Sequence, residues 1–314
     1  MLRHRRLFAP LLVMLVASLC SLVAGIQPAA AKSIKKGGGG GVPSPTPQAQ
    51  SLYNVGITSA GPAGDGYWEV TDGGAVLAVR EAADDPVPPW YGDMSQSAVT
   101  NIIGIAGNTN GGGYWLAGRD GAVYSFGNVT WLGNAPASNI VAIAAAPGGG
   151  GYWLLGADGG IFSYGNASFK GSLGGQGYSD VVGMAATPSG QGYWLVRSNG
   201  AIYSFGDAVF YGGSPNGVNN IVGMAPTSSG GGYWLLGADG GIFAYGNAPF
   251  YGNGVGTLCC GFTYGSIVAK RNLHDGYRIL GRNTSDFPSY ERNKSPVGTV
   301  EENRAQLIVS WVAP

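Results

Sequence analysis

Residues 151–167 read GYWLLGADGGIFSYGNA and residues 232–248 read GYWLLGADGGIFAYGNA, two segments that differ only at Ser163 and Ala244. A Tyr-Trp pair recurs in five copies of this motif, and a degenerate sixth copy keeps the tyrosine, with successive spacings of 47, 38, 41, 40 and 44 residues. The tyrosines are Tyr67, Tyr114, Tyr152, Tyr193, Tyr233 and Tyr277. A period of this length is typical of repeat architectures such as propellers and solenoids. The motif therefore decides the architecture, whereas a unique active site would have to break the pattern.

Each copy contains a signal for a β-hairpin. The dipeptide Asp158-Gly159 separates two apolar stretches, and it favours a two-residue turn in which both positions have positive φ. Counting outward from that turn pairs Trp153 with Tyr164 and Leu155 with Phe162. The same count pairs Trp68 with Val79, Trp115 with Phe126, Trp194 with Phe205 and Trp234 with Tyr245. The sequence therefore predicts a bulky cross-strand partner for the tryptophan of all five copies and favours its burial.

Two further strands are predicted around each hairpin, an apolar one before it, as at residues 139–145, and an aromatic one after it, as at Phe210-Tyr211-Gly212. Four strands in a repeat of this length are the pattern of a propeller blade. We therefore predict an all-β chain that forms a β-propeller of about six four-stranded blades. A parallel β-solenoid is the alternative. The blades are predicted at residues 52–98, 99–137, 138–179, 180–218 and 219–257, with a degenerate sixth from Leu258 onward.

The number of blades stays open at the sequence level. A closing strand at residues 305–311 could complete a blade that the N-terminal segment begins. The sequence is then equally consistent with five, six or seven blades.

Residues 1–31 are predicted to be a signal peptide. Three basic residues, Arg3, Arg5 and Arg6, precede an apolar run, and the alanines at residues 29–31 offer a small-residue cleavage site. A retained membrane anchor is the alternative, but the run is short for a span. We expect the protein to be secreted or associated with the cell surface, with no stable membrane span after cleavage.

The rest of the chain divides into a linker and one repeat domain. Residues 32–50 are rich in glycine and proline and are predicted to be a disordered tether, which leaves residues 51–314 as the repeat domain. Removal of the three N-terminal arginines leaves 14 basic and 17 acidic side chains, a net charge of −3, which disfavours nucleic acid as a partner. Only 11% of the residues are charged and 58 of 314 are glycine, which suits short, tightly turned strands.

The repeat also carries a resemblance. The string G-Y-W-L-x-x-x-D-G-G-I-F-S-Y/F-G-N/D-A, followed by F-x-G and I/V-V-G-M-A, resembles the tandem repeats of secreted actinobacterial proteins, which occur alone or beside cell-wall hydrolase domains. The resemblance covers residues 99–257 closely and 52–98 loosely. It implies an extracytoplasmic, propeller-like module that binds or displays, with no activity assigned to the repeat itself.

The hairpin is similar to the blades of quinoprotein-type propellers as well. Those blades continue with L-D-A-x-T-G, where this chain has G-N/D-A. That departure removes the support for a quinone cofactor, and no cofactor is expected.

The sequence offers little for catalysis. His274 is the one histidine that follows the signal peptide, so a Ser-His-Asp arrangement or a multi-histidine metal site can form only around it. For His274 and Asp275 we favour a solvated turn over a catalytic role. The rival functional hypothesis is a propeller-type hydrolase or lyase with its site in this divergent sixth repeat, where Arg278 and Arg282 also lie.

The recurring aspartates of the hairpins are candidates for a metal site. They are Asp120, Asp158 and Asp239, but Asn199 stands at the same position in another copy. An amide serves a turn as well as a carboxylate does. We therefore predict turn residues and no metal.

Cys259 and Cys260 are adjacent, and they are the only cysteines that follow the signal peptide. In an oxidising compartment they can form a vicinal disulfide, cross-link two chains or stay free. The pair lies where the repeat degenerates, which makes this segment the least repetitive part of the domain.

Two sets of side chains remain as candidates for ligand binding. Outer aromatic rings can stack on sugar faces, and polar residues that follow the hairpins can either form turns, which we favour, or bond ligand hydroxyls. The aromatic pairs are Trp90-Tyr91, Phe210-Tyr211 and Phe250-Tyr251, and the polar residues are Asn128, Asn166, Asp207 and Asn247. The sequence favours a secreted, non-enzymatic propeller that binds or displays on the cell envelope, with cell-wall glycan or a surface protein as its partner.

Overall fold

The computed structural model describes residues 54–61, 66–80, 86–213 and 217–253 in full, and beyond them the backbone of four further strands. The described residues form nineteen strands and no helix. In chain order the strands are β1 (Asn54–Ser59), β2 (Gly66–Thr71), β3 (Val76–Arg80), β4 (Ile102–Gly107), β5 (Gly113–Gly118), β6 (Val123–Gly127), β7 (Ile140–Ala145), β8 (Gly151–Gly156), β9 (Ile161–Gly165), β10 (Val181–Ala186), β11 (Gly192–Arg197), β12 (Ile202–Gly206), β13 (Ile221–Pro226), β14 (Gly232–Gly237), β15 (Ile242–Gly246), β16 (Phe262–Lys270), β17 (Gly276–Asn283), β18 (Val300–Asn303) and β19 (Gln306–Ser310).

The strands form six antiparallel sheets that follow the repeats. Each of the five clear repeats builds one three-stranded sheet, in the orders β1-β2-β3, β4-β5-β6, β7-β8-β9, β10-β11-β12 and β13-β14-β15. The last sheet has four strands in the order β16-β17-β19-β18. The prediction of an all-β repeat fold is confirmed. The prediction of four strands in each of the five clear repeats is wrong.

The segment that was predicted as the fourth strand is a loop. In the second repeat, the carbonyl of Thr130 accepts a hydrogen bond from Trp115 Nε1, and the carbonyl of Gly133 accepts one from the Tyr152 hydroxyl. The equivalent Phe210-Tyr211-Gly212 segment is likewise not a strand. Because side chains donate hydrogen bonds to these backbone carbonyls, the segment is held in place without pairing as a fourth strand.

The register within each hairpin differs from the prediction by one residue. Gly156 donates its N–H to the Gly160 carbonyl (2.9 Å), so the connection has three residues, the last of them Gly159 with a φ of +78°. A three-residue loop that ends in a left-handed glycine is the next commonest hairpin connection after the two-residue turn. Trp153 therefore lies opposite Ser163, and its predicted partner Tyr164 lies opposite the preceding tyrosine.

The same shift applies to the other four predicted tryptophan pairs. Each tryptophan has a small residue opposite it on the third strand. The observed pairs are Trp68–Ala78, Trp115–Ser125, Trp194–Ser204 and Trp234–Ala244.

The core lies between neighbouring sheets. All five Tyr-Trp pairs are buried, with exposed fractions of 2% or less, which confirms the predicted burial of the tryptophans. Trp153 of the third sheet packs with Tyr193 and Leu195 of the fourth. Full burial of such side chains contributes roughly 1.5–3 kcal/mol each, so the middle strands stabilise the stack of sheets as well as their own sheet.

The first strands of the sheets adjoin one another in chain order. β1 contacts β4, β4 contacts β7, β7 contacts β10, β10 contacts β13 and β13 contacts β16. β16 also contacts β1, so the series of first strands returns to its start. The third strands and the loops that follow them therefore lie on the side of each sheet away from these contacts.

Candidate binding site

Five aromatic side chains occupy equivalent positions in the loops that follow the third strands, and all are largely exposed. We call them the rim aromatics. They are Trp90 (59% exposed), Trp131 (53%), Phe169 (59%), Phe210 (59%) and Phe250 (58%). The same exposed ring thus recurs once in each of the five clear repeats.

Sequence reasoning found three of the rim aromatics and missed Trp131 and Phe169. A usable signal was present, because each rim aromatic is the second residue of an x-aromatic-x-Gly segment. In four repeats it also follows the buried tryptophan by 16 residues, as Trp131 follows Trp115.

The buried tryptophan of each sheet anchors the loop just before its rim aromatic. In each case the indole Nε1 donates a hydrogen bond to the carbonyl of the residue that precedes the rim aromatic. The accepting carbonyls and distances are Pro89 (2.9 Å), Thr130 (2.9 Å), Ser168 (3.0 Å), Val209 (2.7 Å) and Pro249 (2.8 Å). The same hydrogen bond therefore positions the backbone just before each of the five rings.

The tyrosine of the next sheet clamps the loop just after the rim aromatic. The Tyr152 hydroxyl accepts a hydrogen bond from the Leu132 N–H (3.3 Å) and donates one to the Gly133 carbonyl (2.6 Å). Equivalent clamps are made by Tyr114, Tyr193 and Tyr233. Each of these four rim aromatics is thus fixed between the tryptophan of its own sheet and the tyrosine of the next.

Burial keeps the clamping hydroxyls protonated. It raises the pKa of Tyr114 to about 12 and raises the pKa values of the other three clamping tyrosines above their usual range. A phenolate could not donate to the loop carbonyl, so the clamp depends on the neutral form.

Glycine closes each clamp. Gly133 has a φ of +134°, and a Cβ atom there would come within 2.9 Å of the Tyr164 ring. Gly212 has a φ of +129°, and a Cβ there would come within 2.7 Å of the Tyr245 ring. Both the backbone conformation and the close approach therefore require glycine.

The second members of the predicted aromatic pairs lie deeper than the first. Tyr91, Tyr211 and Tyr251 are half-buried. The hydroxyl of Tyr91 donates to the Gly111 carbonyl (2.8 Å), and that of Tyr211 donates to the Gly230 carbonyl (3.1 Å). These two tyrosines hold the loop of one repeat against the next repeat.

The predicted polar residues follow the third strands and are exposed. Asn128, Asn166, Asp207 and Asn247 each come after a left-handed glycine. Their N–H groups donate to the loop that joins the first and second strands of the same sheet, which we call the glycine loop. Such bonds fit the turn role. All four residues are exposed, and the side chains of Asp207 and Asn247 also bond hydroxyls of their own sheets.

The structure brings the two predicted sets together at one edge of the sheets. At the first, second and fourth junctions, the residue after the rim aromatic packs against the glycine that precedes the polar residue of the next repeat. Thus a Cβ on Gly127 would lie 2.8 Å from the Tyr91 ring, and one on Gly246 would lie 2.9 Å from the Tyr211 ring. Each of the four junctions between the five clear repeats therefore has an exposed aromatic ring in one repeat and an exposed polar residue in the next.

The recurring hairpin acids act as turn residues, as predicted. Asp158 Oδ1 accepts a hydrogen bond from the Gly160 N–H (3.0 Å), and Asn199 Oδ1 accepts the same bond from the Ala201 N–H (3.0 Å). Within the part of the chain that the structure describes, no three His, Cys, Asp or Glu side chains cluster as metal ligands would.

A cavity of about 260 Å³ lies among the ends of the first strands. Aliphatic side chains such as Ile105, Ile143 and Met184 line it together with the hydroxyls of Thr58 and Thr187. The described lining carries no ionisable side chain. These walls therefore offer apolar contact and hydroxyl groups.

Several predicted features fall outside the described residues. They are residues 1–50, His274, Asp275, Cys259 and Cys260. Of Arg278 and Arg282 only the backbone is described, within β17. A helix long and apolar enough to cross a membrane is not found in the described ranges.

Comparison with known proteins adds no relative. No protein-family model matches this chain, and no curated protein is similar to it in sequence.

Proposed function

We propose that this protein is a non-enzymatic binding module that recognises glycan of the cell envelope through its rim aromatics. The observation that carries the proposal is the set of five equivalent aromatic rings, each 53–59% exposed and presented by the same tryptophan anchor. Core packing does not explain them, because the core aromatics are a separate and fully buried set.

Glycan fits the chemistry of each junction. The flat face of an aromatic ring covers the C–H face of a sugar, and amide or carboxylate groups bond its hydroxyls. At the second junction Trp131 supplies the ring, and Asn166 of the next repeat supplies an exposed amide at the same edge. Repetition adds to this, because several weak sites on one polymer bind far more tightly than one site does.

The same proposal includes the architecture and the location of the protein. We propose that the six sheets are the blades of a β-propeller, which is supported by the contacts of the first strands in chain order and by the contact of β16 with β1. In a solenoid the first and last repeats would not meet. Secretion is supported by the arginines and apolar run at the N-terminus, and a role at the cell envelope is supported by the resemblance to secreted actinobacterial repeats.

The test is binding of the purified protein to isolated cell wall and to a glycan array. Replacement of one rim aromatic by alanine, as in Trp131→Ala or Phe210→Ala, is expected to weaken binding several-fold. Replacement of several is expected to weaken it by about 100-fold because avidity is lost.

A matched control is Val209→Ala, which removes an exposed apolar side chain (54% exposed) from the same loop as Phe210 but leaves the ring. It is expected to bind like the original protein. If the original protein binds neither cell wall nor any glycan, glycan recognition is refuted.

A further inference from the structure

The junction between the third and fourth repeats differs from the others at three positions together. Lys170 follows its rim aromatic, where the other repeats have tyrosine or leucine. Gln191 stands in the glycine loop, where its described counterparts are Gly112, Gly150 and Gly231. Asp207 stands where the other described junctions have asparagine. One junction is therefore charged while its described counterparts are neutral at these positions.

Lys170 bridges the two repeats. Its N–H donates to the Tyr193 hydroxyl (3.0 Å), which fixes the backbone in the usual clamp. Its ammonium Nζ donates to Gln191 Oε1 of the next repeat (2.9 Å). An ammonium has three donors, and a neutral amide takes one of them, so two N–H groups are left for a ligand.

Asp207 is already engaged by its own sheet. Its Oδ1 accepts a hydrogen bond from Thr187 (2.8 Å), and its Oδ2 accepts one from Ser189 (2.5 Å). These hydroxyls lower the pKa of the Asp207 carboxyl, and the nearby charge of Lys170 adds to the effect. Both carboxylate oxygens therefore have donors, whereas the lysine retains unused donors.

We propose that this junction binds a carboxylate-bearing saccharide, with the Phe169 ring as the stacking surface and the Lys170 ammonium as the partner of the carboxylate. The proposal rests on the glycan binding proposed above and adds the chemical class that one of the sites selects. The other rim aromatics serve neutral sugars, because tyrosine or leucine follows them.

The test compares two tetrasaccharides that differ in their 3-O-lactyl groups, which carry the carboxylates. One alternates N-acetylglucosamine with N-acetylmuramic acid, whose lactyl group carries a carboxylate, and the other is chitotetraose, which has none. Titration calorimetry is done on the purified protein and on a variant in which the other four rim aromatics are alanine, so that Phe169 is the remaining ring. Those four side chains are exposed, and circular dichroism checks the fold.

We expect the variant to bind the acidic tetrasaccharide about fivefold more tightly than chitotetraose, as fits a solvent-exposed ion pair. The preference should shrink as salt is added. Lys170→Leu, which copies the second repeat, should remove the preference. Asp207→Asn should strengthen it by removing a like charge, and the fold should tolerate it because Asn247 makes the same bond to Thr227 (3.0 Å).

The outcomes separate the two proposals. Equal affinity for both sugars, or a preference that survives Lys170→Leu, overturns the carboxylate site but leaves glycan binding intact. Binding of neither tetrasaccharide by the original protein overturns the carboxylate site, and glycan recognition is refuted as well if the protein also binds neither cell wall nor any glycan of the array.

Discussion

At the scale of single residues, four of the five buried tryptophans have alanine or serine opposite them on both neighbouring strands. Trp153 lies opposite Ala144 of β7 and Ser163 of β9. The indole fills the space that these two residues leave, and the same arrangement recurs at Trp194, between Ala185 and Ser204. This explains why the two nearly identical copies of the motif differ only at Ser163 and Ala244, since this position selects for size.

The hydroxyls at this position contribute no hydrogen bond. Ser163 Oγ and Ser204 Oγ are buried and have no partner. A buried polar group without a partner destabilises a fold, so Ser163→Ala is expected to leave stability unchanged or to raise it by up to about 1 kcal/mol. Urea unfolding followed by fluorescence measures the change.

The control for this prediction is Ser163→Leu, which keeps the site apolar but adds volume beside Trp153. It is expected to lower the free energy of unfolding by roughly 1–3 kcal/mol through overpacking. A marked loss of stability in Ser163→Ala would instead mean that the hydroxyl has a partner.

At the scale of the hairpin, the length of the loop decided the cross-strand register, which the sequence alone did not determine. Asp158-Gly159 indicated a two-residue turn, but Ala157 also belongs to the loop, and the extra residue shifts every cross-strand pair by one. Both loops are compatible with the dipeptide, and the choice follows from the packing of large and small side chains on each face. The sequence therefore predicted the hairpin correctly and its register incorrectly.

Two adjacent residues of the hairpin loop, Asp158 and Gly159, are expected to respond differently to substitution. Gly159→Ala is expected to lower the free energy of unfolding by about 1–2 kcal/mol or more, because its φ is +78° and a Cβ would come within 2.5 Å of Leu173. Asp158→Asn is expected to have little effect, since Asn199 makes the same turn bond in the fourth sheet. Thermal unfolding of both variants tests this, and equal stability of the two would contradict it.

At the scale of the whole molecule, a repeated set of buried tyrosines links the sheets to one another. Tyr152 of the third sheet holds a loop of the second, and Tyr193 of the fourth holds a loop of the third. Each of the four junctions between the five clear repeats thus contains a clamping phenol whose pKa burial has raised. We therefore expect these junctions to share a sensitivity to alkaline pH.

Stability is expected to be constant from pH 8 to about pH 10, the ordinary pKa of tyrosine, and to fall as pH rises toward 12. In that window the unfolded chain releases phenolic protons that the folded chain retains, since the folded pKa of Tyr114 is about 12. Urea midpoints measured between pH 8 and pH 12 test this, with Tyr114→Phe expected to show a smaller decline. A flat profile across the window would contradict it.

The sequence by itself determined the all-β repeat fold and the burial of the hairpin tryptophans, because period, turn residues and apolar patterning are properties of each copy taken alone. It also pointed to three of the rim aromatics, such as Phe210. Only the tertiary structure decided the register, the loss of the fourth strand and the placement of Phe169, Lys170 and Asp207 at one edge. Those features depend on which groups of the next repeat bond each loop, and that contact joins residues far apart in the chain, as when Tyr164 donates to the carbonyl of Asn134 (2.7 Å).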